Sequence, residues 1–238
     1  MANQFNRTEL LLGKDNMEKL SKAHVIVFGV GGVGGYVVEA LARSGIYYFT
    51  LVDNDVVSET NINRQIIATF DTIGEAKVEV MKKRILSINP EAEVVIRKCF
   101  YLPETANEFD FSQYHYVVDC VDTVKAKLSI IEEAKNNNVP VISAMGAGNK
   151  MNPAMLEVSD ISKTSVDPLA KVIRTELRKR GINHLKVVYS KEQPIQITDP
   201  NVELKEKSQR PVPGSNAFVP SAMGLIMASE IIKDLINQ

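Results

Sequence analysis

A chain of 238 residues, 24% of them charged and with a formal net charge of -1, can bury one large core without staples and carries no overall charge that would draw it to nucleic acid or a membrane. Its two cysteines, Cys99 and Cys120, lie in segments that read as buried strand, which excludes a disulfide framework or a cysteine-built zinc site and implies a reducing compartment. The opening MANQFNRTELLLGKDN has no apolar leader core and no run of about 18 apolar residues follows, so a cytosolic protein without a membrane span is expected.

Ala23 to Phe28 is a short apolar run ending in glycines, after which Val33, Val37, Ala40 and Leu41 recur at helical spacing. This predicts strand, turn and helix. A second β-rich run, Tyr47 to Val52, ends at Asp53. A long irregular stretch then leads to a helix over Glu75 to Ser87, with Val78, Met81, Ile85 and Ile88 on one face, stopped by Asn89-Pro90. Strands are predicted at Glu93 to Lys98, Tyr116 to Cys120 and Val139 to Ser143, with a helix from Thr123 to Lys135. Beyond Gly148 come a strand at Ala154 to Val158, a helix from Val166 to Arg180, a strand at Leu185 to Ser190, a long mobile loop over Lys191 to Ser215, and a closing amphipathic helix from Pro220, marked by Leu225, Ala228, Ile232 and Leu235. The alternation predicts an α/β fold: one domain over 1–238 with a doubly wound, Rossmann-like, mostly parallel sheet continued by an antiparallel extension. Residues 1–150 would form the nucleotide-binding part and 151–238 a substrate-binding, sheet-completing part.

Gly29-Val30-Gly31-Gly32-Val33-Gly34 fits G-x-G-x-x-G at the predicted strand-to-helix junction, where main-chain N–H groups face an anion. Asp53, at the end of the second strand, can accept from ribose hydroxyls. A turn needed only for packing is the alternative. The loop alone does not separate a nicotinamide dinucleotide from ATP, whereas the residues after it do. Asp55, Asn61, Asn63, Arg64, Gln65 and Lys77 form a polar cluster that a dinucleotide does not need. A triphosphate does need it, since about four negative charges must be met by charge-assisted hydrogen bonds. Asp122 follows a strand at the carboxyl edge and suits Mg²⁺. Taken singly, Arg64 and Lys77 could be solvated charges and Asp122 a helix N-cap; their co-occurrence favours the nucleotide.

GVGGVG, LVDNDVVSETNINRQ, Gly74-Glu75-Ala76-Lys77, Ile88-Asn89-Pro90 and Val118-Asp119-Cys120-Val121-Asp122 together resemble the ubiquitin-activating-enzyme superfamily, in its bacterial adenylyltransferase branch, over about residues 5–150. The resemblance implies ATP binding and attack of a substrate carboxylate on the α-phosphate, giving an acyl-adenylate and pyrophosphate. It assigns Gly32 and its neighbours Gly29, Gly31 and Gly34 to the α-phosphate, Asp53 to ribose with Asp55 beside it, Asn61, Arg64 and Lys77 to the phosphates, and Asp122 to the magnesium that comes with ATP. It also implies a homodimer in which Arg7, in Phe5-Asn6-Arg7, acts in trans as a catalytic residue together with Arg64, Lys77 and Asp122; a surface charge on a first helix is the plainer alternative for Arg7. Members of the family sometimes hold a structural Na⁺ or K⁺, whose ligands the sequence does not assign.

A carboxylate is ionised at pH 7, so adenylation needs charge stabilisation and positioning, not a general base. His24, His115 and His184 accordingly read as structural or surface residues. Relatives that activate a ubiquitin-like sulfur carrier usually have two CxxC pairs for zinc, and some a crossover-loop cysteine; this chain has neither. Its downstream MGAGNKMNP, LEVSDISKTSVDPLAKVIRTELRKRGI and LKVVYSKE resemble instead the branch of tRNA threonylcarbamoyladenosine dehydratases. There ATP activates a carboxylate on a hypermodified adenosine beside the anticodon, and the carbamoyl group of the same side chain closes a ring with net loss of water. An internal nucleophile makes an enzyme thiol unnecessary. Activation of a sulfur-carrier protein and a non-catalytic nicotinamide-dinucleotide sensor are the other readings, and whether a sulfur-relay protein is a partner stays open.

From Lys163 to Lys191 eight basic residues stand against Asp167 and Glu176. Such an excess suits the tRNA phosphate backbone, while a solvated helix face is the plainer alternative.

Overall fold

In the computed structural model of the chain, which describes residues 3–197 and 213–237, β1 (His24–Phe28), β2 (Tyr48–Val52), β3 (Glu93–Arg97), β4 (Tyr116–Asp119), β5 (Val141–Ala144), β6 (Leu156–Asp160) and β7 (Lys186–Ser190) form one sheet. The order is β3-β2-β1-β4-β5-β7-β6. Every neighbouring pair is parallel except β6 with β7, which is the expected antiparallel extension. The near-continuous apolar runs of β1, β4 and β5 follow from burial on both faces, because crossover helices cover both sides of a parallel sheet.

The helices are α1 (Asn6–Leu12), α2 (Lys14–Lys22), α3 (Gly34–Arg43), α4 (Lys77–Ile88), α5 (Val124–Asn136), α6 (Pro168–Lys179) and α7 (Val219–Ile236). One core, with Val37, Leu41, Met81, Ile85, Met227 and Ile231, lies between the sheet and α3, α4 and α7. The second, with Phe28, Ile130, Ile131, Ile173 and Leu177, lies beneath α5 and α6. Pro168 and Pro220 sit in first helical turns, where a missing N–H costs nothing. Asp167 caps α6 by accepting from Ala170 N–H at 2.8 Å, a bond that anchors the helix start.

Strand order reverses beside β1, since the chain runs outward to β2 and β3 and returns to β4 on the other side. Phe28 therefore lies opposite both Val52 and Asp119. Ligands of such sheets bind at the carboxyl end of this crevice.

Helix α1 answers to the first helix offered as the alternative setting of Arg7, whereas α2 has no counterpart in the sequence reading. Leu10 and Leu11 are 87% and 86% exposed and only Leu12 of the α1 leucines packs, partly buried, against the core, so α1 carries little apolar patterning. The loop predicted over Lys191 to Ser215 falls largely on 198–212, outside the described residues. The basic run is not one surface. Lys186 points to the α7 side of the sheet and pairs with Glu230 and Asp234, whereas α6 covers the other side. Lys179 and Arg180 pair with Glu176, Arg180 also with Glu132, and Lys191 with Glu157. Four of the eight cations are thus neutralised, a spatial pairing that a count along the chain misses. No helix among the described residues is long and apolar enough to cross a membrane.

Candidate active site

A cleft of about 780 Å³ opens at the carboxyl edge beside β1 and β4, a volume typical of small-ligand sites. Its floor is the glycine turn. Gly29 has φ +86°, and a Cβ there would come within 2.7 Å of the Cys120 carbonyl oxygen. At Gly34 a Cβ would reach 1.9 Å from the Gly29 carbonyl oxygen. These two glycines let β1, α3 and the end of β4 close on one another. Gly29 also lines the cleft, together with Gly31 and Gly32, so of the four motif glycines Gly34 alone serves packing only.

Asp53 is held by main-chain donors: Val30 N–H gives to Oδ2 at 2.7 Å and Asp55 N–H to Oδ1 at 2.8 Å. Burial pushes its carboxyl up from the ordinary range, against the opposing pull of Lys77 and of these two N–H groups. The irregular segment after Asp53 is clipped to the start of α4 by main-chain bonds from Val57 N–H to Glu75 and from Lys77 N–H to Asp55. That clip fixes Lys77, whose buried ammonium lies 2.9 Å from Asp55 Oδ2. A solvated surface charge is therefore the wrong description of Lys77.

Asn61 ends a short 3₁₀ turn, Glu59–Asn61, where its Oδ1 accepts from Ser58 N–H at 3.2 Å. Its carbonyl accepts from Arg64 and Gln65 N–H, which turns both side chains into the cleft. Arg64 gives to the Thr60 carbonyl at 2.8 Å and to Asn63 Oδ1 at 2.9 Å. Burial lowers its guanidinium from the ordinary value, yet arginine stays charged in proteins. Gln65 Oε1 is buried with no hydrogen-bond partner among the described residues, although a buried acceptor ordinarily has one.

Asp122 is exposed and lines the cleft. It is not the N-cap of α5; Thr123 holds that position, without a side-chain cap bond. Among the described residues no three His, Cys, Asp or Glu side chains come together as a metal site. A lone carboxylate of this kind fits Mg²⁺, which is commonly bound by one or two carboxylates together with phosphate oxygens.

The structure brings Gly29, Gly31, Gly32, Asp53, Asp55, Asn61, Arg64, Lys77 and Asp122 to one cleft. It leaves Gly34 in the packing beneath and Arg7 outside. Arg7 is exposed on α1, whose N-cap Phe5 packs against Tyr47 with ring centroids 5.9 Å apart, and Tyr47 precedes β2 at the opposite, amino edge of the sheet. The strand-core reading of both cysteines needs correction. β3 and β4 stop at Arg97 and Asp119, so Cys99 and Cys120 lie past the strand ends and line the cleft. Burial pushes both thiols up, away from the thiolate that nucleophilic chemistry requires. His24 hydrogen-bonds Thr50, and the exposed His184 faces Asp160; neither lines the cleft.

Sequence reasoning missed the aromatic wall formed by Phe28, Phe100 and Tyr101. Tyr101 packs edge-on to Phe28 at 4.8 Å, and burial pushes its hydroxyl up to about 12. It also missed the fully buried Lys127. The readable signal was its place in the apolar stripe Lys127, Ile130, Ile131, Ala134, at helical spacing.

A family model described as the ThiF family matches residues 3–238. The tRNA threonylcarbamoyladenosine dehydratase of Bacillus subtilis is 46% identical over 244 residues, which cover 100% of this chain and 96% of the relative. The Escherichia coli protein of the same name is 41% identical over 175 residues, covering 74% of this chain and 65% of the relative. Crystal structures of the E. coli tRNA N6-threonylcarbamoyladenosine dehydratase in complex with ATP and with AMP each align with a TM-score of 0.88 at 33% identity, over 98% of this chain and 94% of theirs.

Proposed function

The chain belongs to the ThiF family, and from that premise we propose that it catalyses the ATP-dependent dehydration of threonylcarbamoyladenosine in tRNA. The carrying observation is full-length identity of 46% to a dehydratase in a chain whose cleft gathers Arg64, Lys77 and Asp122 around Gly29, Gly31 and Gly32. The substrate carboxylate attacks the α-phosphorus, and the bond to the bridging oxygen breaks as pyrophosphate leaves. The carbamoyl group of the same side chain then attacks the acyl carbon and loses a proton, and AMP departs with one carboxylate oxygen. One water is thereby lost from the nucleoside.

In this reading Gly29, Gly31, Gly32 and Gly34 shape the phosphate-facing turn, and Asp53 accepts from the ribose. Asn61, Arg64 and Lys77 hold the phosphates. As phosphate enters, the Lys77 ammonium leaves Asp55 for a more highly charged acceptor. Asp122 holds Mg²⁺, which offsets polyphosphate charge. We place Arg7 in the partner's cleft of a homodimer, as its position at the far edge from its own cleft requires if it is catalytic. A structural Na⁺ or K⁺, a sulfur-relay partner, a cytoplasmic setting and a single domain over 1–238 belong to the same proposal.

A relative called an adenylyltransferase and sulfurtransferase is 32% identical over 60% of this chain. Activation of a sulfur carrier is nonetheless disfavoured, because the chain has no CxxC pair and only two cysteines. ATP-bound relatives likewise disfavour a nicotinamide sensor. The test is pyrophosphate release on mixing protein, ATP and Mg²⁺ with tRNA that carries the modification. Release should need the modified nucleoside, and equal release with unmodified tRNA would defeat the reading.

A further inference from the structure

Asp119 and Lys127 have no exposed side-chain surface, and Lys127 Nζ lies 2.9 Å from Asp119 Oδ2. The same ammonium gives to the Val121 carbonyl at 2.9 Å, while Val121 N–H gives to Asp119 Oδ1 at 3.2 Å. Ser143 Oγ gives to Asp119 Oδ2 at 2.5 Å. Both main-chain polar groups of Val121 are thus tied to one buried ion pair. On one side of Val121 is Cys120, whose carbonyl oxygen lies so close to the glycine turn that a Cβ on Gly29 would approach it to 2.7 Å. On the other is Asp122, exposed in the cleft. Burying two charges is costly, and apolar residues of similar volume often replace such pairs without loss of stability. What apolar residues cannot do is grip both the N–H and the carbonyl of the residue beside Asp122.

We propose that the buried Asp119–Lys127 pair is a positioning device that sets the height of the Asp122 carboxylate over the glycine turn, and through it the hold of Asp122 on magnesium-bound nucleotide. This rests on the role given to Asp122 above. Neither residue touches the nucleotide; both act through Val121.

The test is calorimetric binding of ATP with and without Mg²⁺ to the full chain, alongside thermal unfolding. Asp119→Asn combined with Lys127→Met keeps volume and removes both charges. It should melt near the wild type and bind magnesium-free ATP within about threefold, while the strengthening of ATP binding by Mg²⁺ falls about tenfold, as in Asp122→Asn. Adding Asp122→Asn should bring little further loss, since residues that act as a unit are not additive. A folded pair variant that keeps the full magnesium effect overturns the proposal, and so does a wild-type protein whose ATP affinity ignores Mg²⁺. If the pair variant does not fold, Ser143→Ala decides, as it removes only one hydroxyl donor from Asp119. A reduced magnesium effect at unchanged melting temperature supports the device, and an unchanged effect overturns it. Because these readouts need no tRNA, failure of the dehydratase reading would appear separately, as absent pyrophosphate release by the wild type.

Discussion

Lys77 Nζ lies 2.9 Å from Asp55 Oδ2, yet the lysine side chain is 7% exposed and the carboxylate 59%. The cation is fixed in the wall of the cleft, and its partner can turn away into water. Lys77→Met keeps the buried stem and removes the charge. Losing one charge-assisted bond of about 1.5–3 kcal/mol should lower pyrophosphate release about ten- to 150-fold, with a melting temperature close to that of the wild type. Asp55→Asn should weaken ATP binding far less, because it frees the ammonium. Equal losses in the two variants would place Lys77 in the scaffold only.

The glycines of the turn should separate by function. Gly34→Ala would drive a Cβ to 1.9 Å from the Gly29 carbonyl oxygen, so it should lower the yield of folded protein or its melting temperature. At Gly31 the nearest atom to a Cβ is Gln65 Nε2 at 3.8 Å. Gly31→Ala should therefore fold normally and lose ATP affinity by calorimetry. Normal ATP binding by Gly31→Ala would remove that face of the turn from the nucleotide site.

Glu39 joins α3 to α4 through Arg43 on its own helix and Arg84 on α4. Burial works to raise its carboxyl, but hydrogen bonds and charge from Arg84 and Arg43 outweigh it and leave the value below the ordinary range. A depressed folded value means that this stabilisation is complete above about pH 5 and lost as pH falls through the folded value. Glu39→Gln should cost about 1 kcal/mol at neutral pH, or about 2–4 °C at this chain length. The gap from the wild type should close in acid. A pH-independent gap measured by thermal unfolding would contradict the assignment.

Arg7 acting across a dimer predicts complementation. Arg7→Ala and Asp122→Ala chains, each inactive alone, should regain partial turnover when mixed, because some dimers carry one intact cleft. No recovery in confirmed mixed dimers would remove Arg7 from the partner's cleft.

The tRNA surface should depend on cations that the fold leaves unpaired. Lys163, Lys171 and Arg178 have no ion pair among the described residues, whereas Lys179 and Arg180 are paired. Replacing the first three with alanine should weaken tRNA binding and flatten its salt dependence by about one unit of slope per lost phosphate contact. The Lys179→Ala, Arg180→Ala double variant should change little. The reverse ranking would move the contact surface.

The parallel sheet was legible because β1, β4 and β5 are buried on both faces and leave near-continuous apolar runs. Helix α7 showed itself through Pro220 and apolar residues at helical spacing, but the face was misread in part: Ala228 and Leu235 are buried as expected, Leu225 is 50% exposed, and Met223, Met227 and Ile231 fill the core instead. α1 was only faintly legible, as the alternative setting of Arg7, because Leu10 and Leu11 face away from the core and only Leu12 packs partly against it. At the site, the glycine turn and the Asp53 to Lys77 cluster could be read as motifs because they are local in sequence. The Asp119–Lys127–Ser143 network joins two strands and a helix, and only the fold brings it together. The basic run misled for the converse reason. Residues contiguous in sequence diverge in space, with Lys186 on one face of the sheet and α6 on the other.

The most direct test of the central claim is mass spectrometry of nucleosides from modified tRNA after incubation with the protein, ATP and Mg²⁺. The threonylcarbamoyladenosine peak should give way to a species lighter by one water, with AMP and pyrophosphate formed in step and no change without ATP. An unaltered nucleoside, in the presence of protein that binds ATP, would contradict it.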